Sequence, residues 1–277
     1  MSEISIETVG VIGLGKMGGP LARHLVSGGF SVLGHDVVGE AVAAAENAGT
    51  VRCDTPADMA GRSDLVIIGV GFDSEVERVI FADDGVLAGA KPGLVVAVAS
   101  TIAPRTMKKI AARAADLPVT FVDIPMCRGE QAAIDGKLLI MGGGDVAAFD
   151  ACREAFSTFS DSIHHLGAVG AGQVGKMVNN MILWACISAD HEGLALAEGL
   201  GVEIGPLRDA LLQSSAENWA LATRASESPM PWAEKDMTIV LKEADDIRLS
   251  LPLSGSVKEV IKGIKIALGD PTPKEIE

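Results

Sequence analysis

With 277 residues, 48% apolar and 22% charged, the chain has the length and composition to bury a real core as one large or two moderate domains. A formal net charge of −14 argues against nucleic acid, because an acidic surface repels phosphate and nothing gathers Lys or Arg into a stripe. No apolar run is long enough to span a bilayer, the start MSEISIE lacks a basic-then-apolar signal, and Cys53, Cys127, Cys152 and Cys186 are scattered without pairing or metal-ligand spacing; the expectation is a cytoplasmic protein with reduced thiols.

In chain order, short β-rich apolar runs alternate with helical stretches. The runs are TVGVIG (8–13), FSVLGHD (30–36), DLVIIGVG (64–71), GLVVAVAS (93–100), VTFVDIP (119–125) and KLLIMGG (137–143). Amphipathic segments such as 17–27 and 40–48 lie between the early ones. Strands that are apolar on both faces and separated by helices predict an α/β domain with a doubly wound, mostly parallel sheet. After Gly167 helical patterns take over, at 172–199, 204–214, 217–227, 234–247 and 254–268. The predicted division is therefore a Rossmann-type dinucleotide-binding domain over 1–165 and an all-helical substrate and oligomerisation domain over 166–277. The Pro- and Glu-rich tail after Gly269 is expected to be loose. His164 and His165 are neighbours without a spaced carboxylate or Cys partner, so no metal site is expected.

The first strand runs directly into Gly13-Leu14-Gly15-Lys16-Met17-Gly18 and a helix. Gly13 suits a tight turn, Gly15 lets a pyrophosphate approach the backbone, and Gly18 lets helix and strand pack closely, with the helix N-terminus facing the phosphates. Asp36 ends the second strand, where an acid accepts hydrogen bonds from ribose hydroxyls and repels a 2′-phosphate. NAD is thus expected in preference to NADP, although Arg23 and His35 nearby keep NADP possible. Two later strand ends point to the same crevice: Gly69-Val70-Gly71-Phe72-Asp73, and Ala99-Ser100-Thr101-Ile102-Ala103-Pro104. Gly71, Phe72 and Thr101 are candidate cofactor contacts and Ser100 a candidate substrate contact. Ser100 and Thr101 would equally well cap the helix beginning near Pro104.

Further on, Lys176 and Asn180 stand four residues apart and so share a helical face. A Lys and an Asn on the side of an apolar helix that lines a crevice can shuttle a proton and orient an oxygen; the bland reading is a snorkelling Lys beside a neutral Asn.

Taken together, these motifs resemble those of the β-hydroxyacid dehydrogenases, a family that includes 3-hydroxyisobutyrate dehydrogenase and tartronate semialdehyde reductase. GLGKMGGPLA (13–22) resembles the family's cofactor signature, STIAP (100–104) its next loop, and Gly167, Gly170, Gly172, Lys176 and Asn180 its GxxGxGxxxKxxxN pattern. Lys235-Asp236 resembles its later Lys-Asp pair. The resemblance implies that Lys176 is the catalytic acid/base, Asn180 its positioning partner and Lys235 a cofactor or substrate contact. One loop departs. Where the family has Asp-Ala-Pro-Val-Ser-Gly-Gly, this chain reads Asp123-Ile124-Pro125-Met126-Cys127-Arg128-Gly129. A guanidinium at 128 can bind an anion bidentately, and similar arginine placement occurs in the sulfolactaldehyde reductase branch; its bland alternative is a bridge to an acid such as Glu130.

The implied activity is NAD(P)-dependent interconversion of a small anionic β-hydroxy acid and its semialdehyde or keto form. Cys127, Arg128 and Gly129, with Ser100, would hold the substrate acid. Two other readings stand beside it: an imine reductase-like enzyme, in whose relatives the lysine position usually holds Asp or Tyr, and a non-catalytic dinucleotide sensor or scaffold. The apolar content of 181–202 points to a homodimer or homotetramer.

Overall fold

β-Branched and leucine-rich runs make the strands, and in the computed structural model, which describes residues 5–224 and 228–275, they join one sheet. The strands are β1 (Thr8–Ile12), β2 (Ser31–His35), β3 (Val51–Arg52), β4 (Leu65–Ile68), β5 (Leu94–Val98), β6 (Val119–Asp123), β7 (Met126–Cys127), β8 (Leu138–Gly144) and β9 (Ser160–Gly167). Their spatial order is β3-β2-β1-β4-β5-β6-β8-β7, with β9 paired to β8. Every pairing from β3 through β6 is parallel; β8 runs antiparallel to β6 and β7, and β9 parallel to β8. The strand order reverses between β1 and β4, which is the switch point where open α/β sheets leave a crevice at their carboxyl ends.

Burial explains why these strands are apolar on both faces. In β4, Leu65 and Ile67 pack into one core cluster with Val9, Val11, Leu21 and Leu25, while Val66 and Ile68 pack into a second with Val96, Val98, Met107 and Ile110. All four β4 residues are buried, so neither face tolerates a polar side chain.

The chain divides into two compact units at Lys176/Met177, and not near 165. A break at 165 would cut β9, a strand missed from sequence because its burial alternates along a half-polar edge. It would also detach the first turn of the helix Ala171–Gly199, whose backbone is bonded to the end of β6. The two-residue β3 and β7 are likewise too short to show periodicity.

The second unit holds the helices Ile204–Leu211, Trp219–Thr223, Ala233–Asp246 and Pro252–Leu268 with the remainder of the long helix. The last positions of the helix expected over 217–227 lie outside the described residues. Trp184, Met230, Ala233, Met237, Val257, Ile261 and Ile264 form its core. The stretch after Gly269 is not loose as far as Thr272. Asp270 Oδ2 accepts the Met230 N–H at 2.5 Å, and the Thr272 hydroxyl accepts from Lys265 Nζ at 2.7 Å and donates to Glu234 Oε1 at 2.6 Å. Lys265 is only 2% exposed, and this tail supplies part of its hydrogen bonding. Among the described residues no helix is long and apolar enough to cross a membrane.

Candidate functional site

At the switch point each glycine of the first turn has a separate geometric cause. Gly13 has φ 87°, and a side chain there would also run into the Gly69 carbonyl. A Cβ at Gly18 would collide with the Gly13 carbonyl oxygen, so only glycine lets the helix Gly18–Ser27 start this close to β1. A Cβ at Gly15 would meet nothing within 4 Å, so its backbone borders open space. Asp36 is docked on the same turn: Oδ2 accepts the Leu14 N–H at 2.6 Å and Oδ1 the Val38 N–H at 2.8 Å. Each oxygen retains a lone pair, and the carboxylate stays half-exposed. A bare backbone beside open space with an acid at the end of β2 fits the phosphates and adenosine ribose of a dinucleotide. Met17 is half-buried beside the first core cluster. Lys16 is 82% exposed and pairs with Glu130 at 3.1 Å, an arrangement that contributes little to stability.

The loops after β4 and β5 are cross-braced. Gly71 and Phe72 donate their N–H groups to Glu75 Oε2 at 2.8 and 3.1 Å, and Asp73 Oδ2 accepts the Ala103 N–H at 3.1 Å. Ser100 is 4% exposed, and its hydroxyl accepts the Val70 N–H at 2.9 Å and donates to the Ile68 carbonyl at 3.3 Å, so its proton is engaged inside the fold. The next helix starts at Pro104 after Ala103, which gives it no side-chain cap. Thr101 is half-exposed.

A buried carboxylate organises the next segment. Asp123, at the end of β6, is 0% exposed and accepts the Gly170 N–H at 2.6 Å through Oδ1 and the Gln173 N–H at 2.8 Å through Oδ2. It thereby caps the positive end of the helix Ala171–Gly199. Burial pushes its carboxyl above the usual range, and the backbone N–H donors pull it partly back. A Cβ at Gly172 would lie 2.5 Å from Met141 O and 2.7 Å from Asp123 Oδ2, while one at Gly143 would lie 2.9 Å from Asp123 Oδ1. Gly172, in the spaced glycine pattern, therefore makes room for an anion that belongs to the protein itself.

Gln173, which sequence reasoning passed over, is 1% exposed; its Nε2 donates to Ser100 O at 2.8 Å and its Oε1 accepts the Ile102 N–H at 3.1 Å. The available signals were an acid ending an apolar strand and an amide opening an apolar helix. One turn beyond, the half-buried Lys176 places Nζ 3.9 Å from the Sγ of buried Cys127.

Arg128 does not bridge to Glu130. Its Nη1 donates to the Lys137 carbonyl at 2.9 Å and pairs with Asp161 on β9. Its backbone is left-handed, with φ 82°, followed by Gly129 at φ 77°. A non-glycine residue there carries strain.

In the second unit, Asn180 is 4% exposed and its Nδ2 donates to Asp236 Oδ2 at 2.9 Å, which also accepts the Trp184 indole N–H at 3.1 Å. Asn180 Oδ1 accepts from Asn179 Nδ2 at 3.0 Å. Both polar atoms of the amide are thus engaged within this unit. Of the Lys-Asp pair, Asp236 points inward, while half-exposed Lys235 sets its ammonium 5.5 Å from the Trp232 ring. Among the described residues no group of three or more His, Cys, Asp or Glu side chains is placed to hold a metal ion.

Comparison with known proteins covers these same stretches. The family described as the NAD binding domain of 6-phosphogluconate dehydrogenase matches residues 8–178, and that described as the NAD-binding of NADP-dependent 3-hydroxyisobutyrate dehydrogenase matches 170–272. An NAD-dependent L-serine dehydrogenase of Pseudomonas aeruginosa is 35% identical over 216 residues, covering 78% of this chain and 72% of its own. A 3-hydroxyisobutyrate dehydrogenase of the same organism is 32% identical over 270 residues, covering 91% and 90%. The structure of a Mycobacterium tuberculosis 3-hydroxyisobutyrate dehydrogenase with L-serine is similar at a TM-score of 0.85 and 25% identity, over 96% of both chains.

Proposed function

Because the chain belongs to the β-hydroxyacid dehydrogenase family and is an NAD(P)-dependent oxidoreductase, we propose that it interconverts a small anionic β-hydroxy acid and its semialdehyde or keto form, with Lys176 as acid/base. The observation that carries this reading is the Lys176 amine, held half-buried beside Cys127 at the end of β7, where the 127–129 stretch begins. The chemistry supplied by the bound dinucleotide is acceptance of hydride at its nicotinamide ring. Lys176 takes the hydroxyl proton in oxidation and returns it in reduction. The turn from Gly13 to Gly18 and the 71–72 and 101 loops hold the cofactor, with Lys235 a further contact. Asn180, its amide fixed by Asp236, is the positioning partner of Lys176. The substrate acid is received by the backbone of Cys127–Gly129 and by Arg128; Ser100, the further candidate, would first have to give up its bond to the Ile68 carbonyl. Lys176, where imine-reducing relatives usually have Asp or Tyr, favours a hydroxy acid over an imine. Turnover of any hydroxy acid would exclude a sensor or scaffold.

NAD is the preferred cofactor in this reading, because the Asp36 carboxylate would repel a 2′-phosphate. Asp36→Ala is expected to lower kcat/KM for NAD relative to NADP by about tenfold or more, the worth of one charge-assisted hydrogen bond. An unchanged ratio of the two cofactors would remove Asp36 from the discrimination.

For Arg128, Nη1 is committed to Asp161 and Lys137, so Nε and Nη2 are the donors left for a substrate anion. Arg128→Gly relieves a left-handed strain of about 1–2 kcal/mol and removes a partly exposed ion pair worth about 0–1 kcal/mol, so the melting temperature should hardly fall. On dicarboxylic or sulfonated substrates kcat/KM is expected to drop roughly 10-fold or more. Equal losses on all substrates would show that the guanidinium reads no second acid.

The test of the whole reading is nicotinamide absorbance with NAD and NADP across hydroxy acids and semialdehydes. L-Serine and 3-hydroxyisobutyrate, after which relatives are named, come first, with sulfonated and dicarboxylic candidates beside them. Four free cysteines fit a cytoplasmic setting, and exposed Ile182, Leu196 and Leu200 fit a homodimer or homotetramer, which sedimentation would measure.

A further inference from the structure

We propose that Gln173 is a positioning residue that sets the spacing between the Thr101 segment and the Lys176 amine; the proposal rests on the acid/base reading of Lys176. Its amide spends both ends on one stretch of backbone, donating to Ser100 O and accepting from Ile102 N–H, so the peptide groups on either side of Thr101 are clamped by a single side chain. Its own N–H is bonded to Asp123, which also takes the Gly170 N–H. One buried residue therefore joins the loop after β5, the end of β6 and the first turn of the helix that carries Lys176 three residues on. The clamped loop lies at the carboxyl end of the sheet, where ligands of open α/β sheets bind. Displacement of a reacting group by about 1 Å can cost on the order of 100-fold in rate.

Glutamate separates positioning from bulk. As a carboxylic acid, Gln173→Glu keeps one donor and one acceptor; as a carboxylate it loses the donor and faces the Ser100 carbonyl. Burial raises the folded-state pKa of this glutamate above its unfolded value, so the bond to the Ser100 carbonyl and its stabilisation are present below the unfolded pKa and are lost as pH rises through the folded one.

The first measurement is hydrogen exchange at the Ile102 amide in the full chain. Gln173→Ala is expected to speed exchange about tenfold or more, whereas Gln173→Glu, which keeps an oxygen acceptor for this amide in either protonation state, should retain most of the protection. The second is kinetics. Gln173→Ala should lower kcat by roughly 10–100-fold, a larger effect than on the dinucleotide Kd, and Gln173→Glu should recover kcat relative to wild type as pH falls. Unchanged Ile102 exchange in Gln173→Ala overturns the clamp. Faster exchange with kcat left at the wild-type value, or a Gln173→Glu pH profile identical to wild type, overturns the positioning role. Absence of wild-type turnover on every hydroxy acid overturns the dehydrogenase reading and the positioning role with it, while the exchange data still report whether the clamp exists.

Discussion

Alanine at position 176 is expected to lower kcat by about 10³-fold and to leave the dinucleotide Kd within about threefold of wild type. Proton transfer from a positioned side chain contributes roughly 10²–10⁴ in rate, and in this reading Lys176 is its sole source. In the same reading the dinucleotide's phosphates and ribose are held by other groups, the Gly13–Gly18 turn and Asp36, whereas the Lys176 amine lies beside Cys127. Truncation should thus separate binding from turnover. Lys176→Arg should not rescue, because a guanidinium stays protonated and cannot accept the hydroxyl proton. Single-turnover absorbance and cofactor titration decide the matter; an alanine variant within tenfold of wild-type kcat ends the assignment.

The second large effect concerns folding. In Gly172→Ala the new methyl would sit 2.5 Å from Met141 O, 2.7 Å from Asp123 Oδ2 and 2.9 Å from Asp123 O. Two of these atoms are strand backbone, and the third belongs to a carboxylate fixed by two N–H donors, so nothing nearby can yield as a flexible side-chain end would. Overpacking of this kind costs about 1–3 kcal/mol, and the cost should lie near the upper end because relief requires moving the helix off its buried anion. The corresponding fall in melting temperature is roughly 5–10 °C. Gly170→Ala supplies the contrast. Its methyl would meet the Lys108 side chain at 3.2 Å and Pro104 O at 3.3 Å, and its φ of 91° adds left-handed strain of about 1–2 kcal/mol. A Gly172→Ala protein that melts within about 1 °C of wild type would mean that Asp123 and the helix start adapt freely.

Much of this architecture was legible because it is written locally. Doubly buried strands such as LVII at 65–68 need only their own residues to be recognised, and the glycine turn announces itself by spacing and by Asp36 at the next strand end. What escaped depends on residues far apart in the chain. That the Ser100 hydroxyl is bonded to Val70 and Ile68 cannot be read from its own neighbours in sequence. That Arg128 spends Nη1 on Asp161 shows only once β9, a strand hidden by its half-polar edge, is brought beside it. Gln173 shows locally only as an amide opening an apolar helix; its two bonds go to a loop about seventy residues earlier in the chain. The tail after Gly269 reads as loose by composition, yet Lys265 beneath it needs the Thr272 oxygen.

The docking of Asp123 under the start of the long helix also governs how this protein can be recombined with its relatives. A chimera joined at 165 would import a foreign helix start over a native carboxylate, leaving an anion sealed from water with whatever donors chance provided. A crossover placed after Lys176 keeps the anion, its glycine and its two amides from one parent, and lets the downstream helices be exchanged as a cassette.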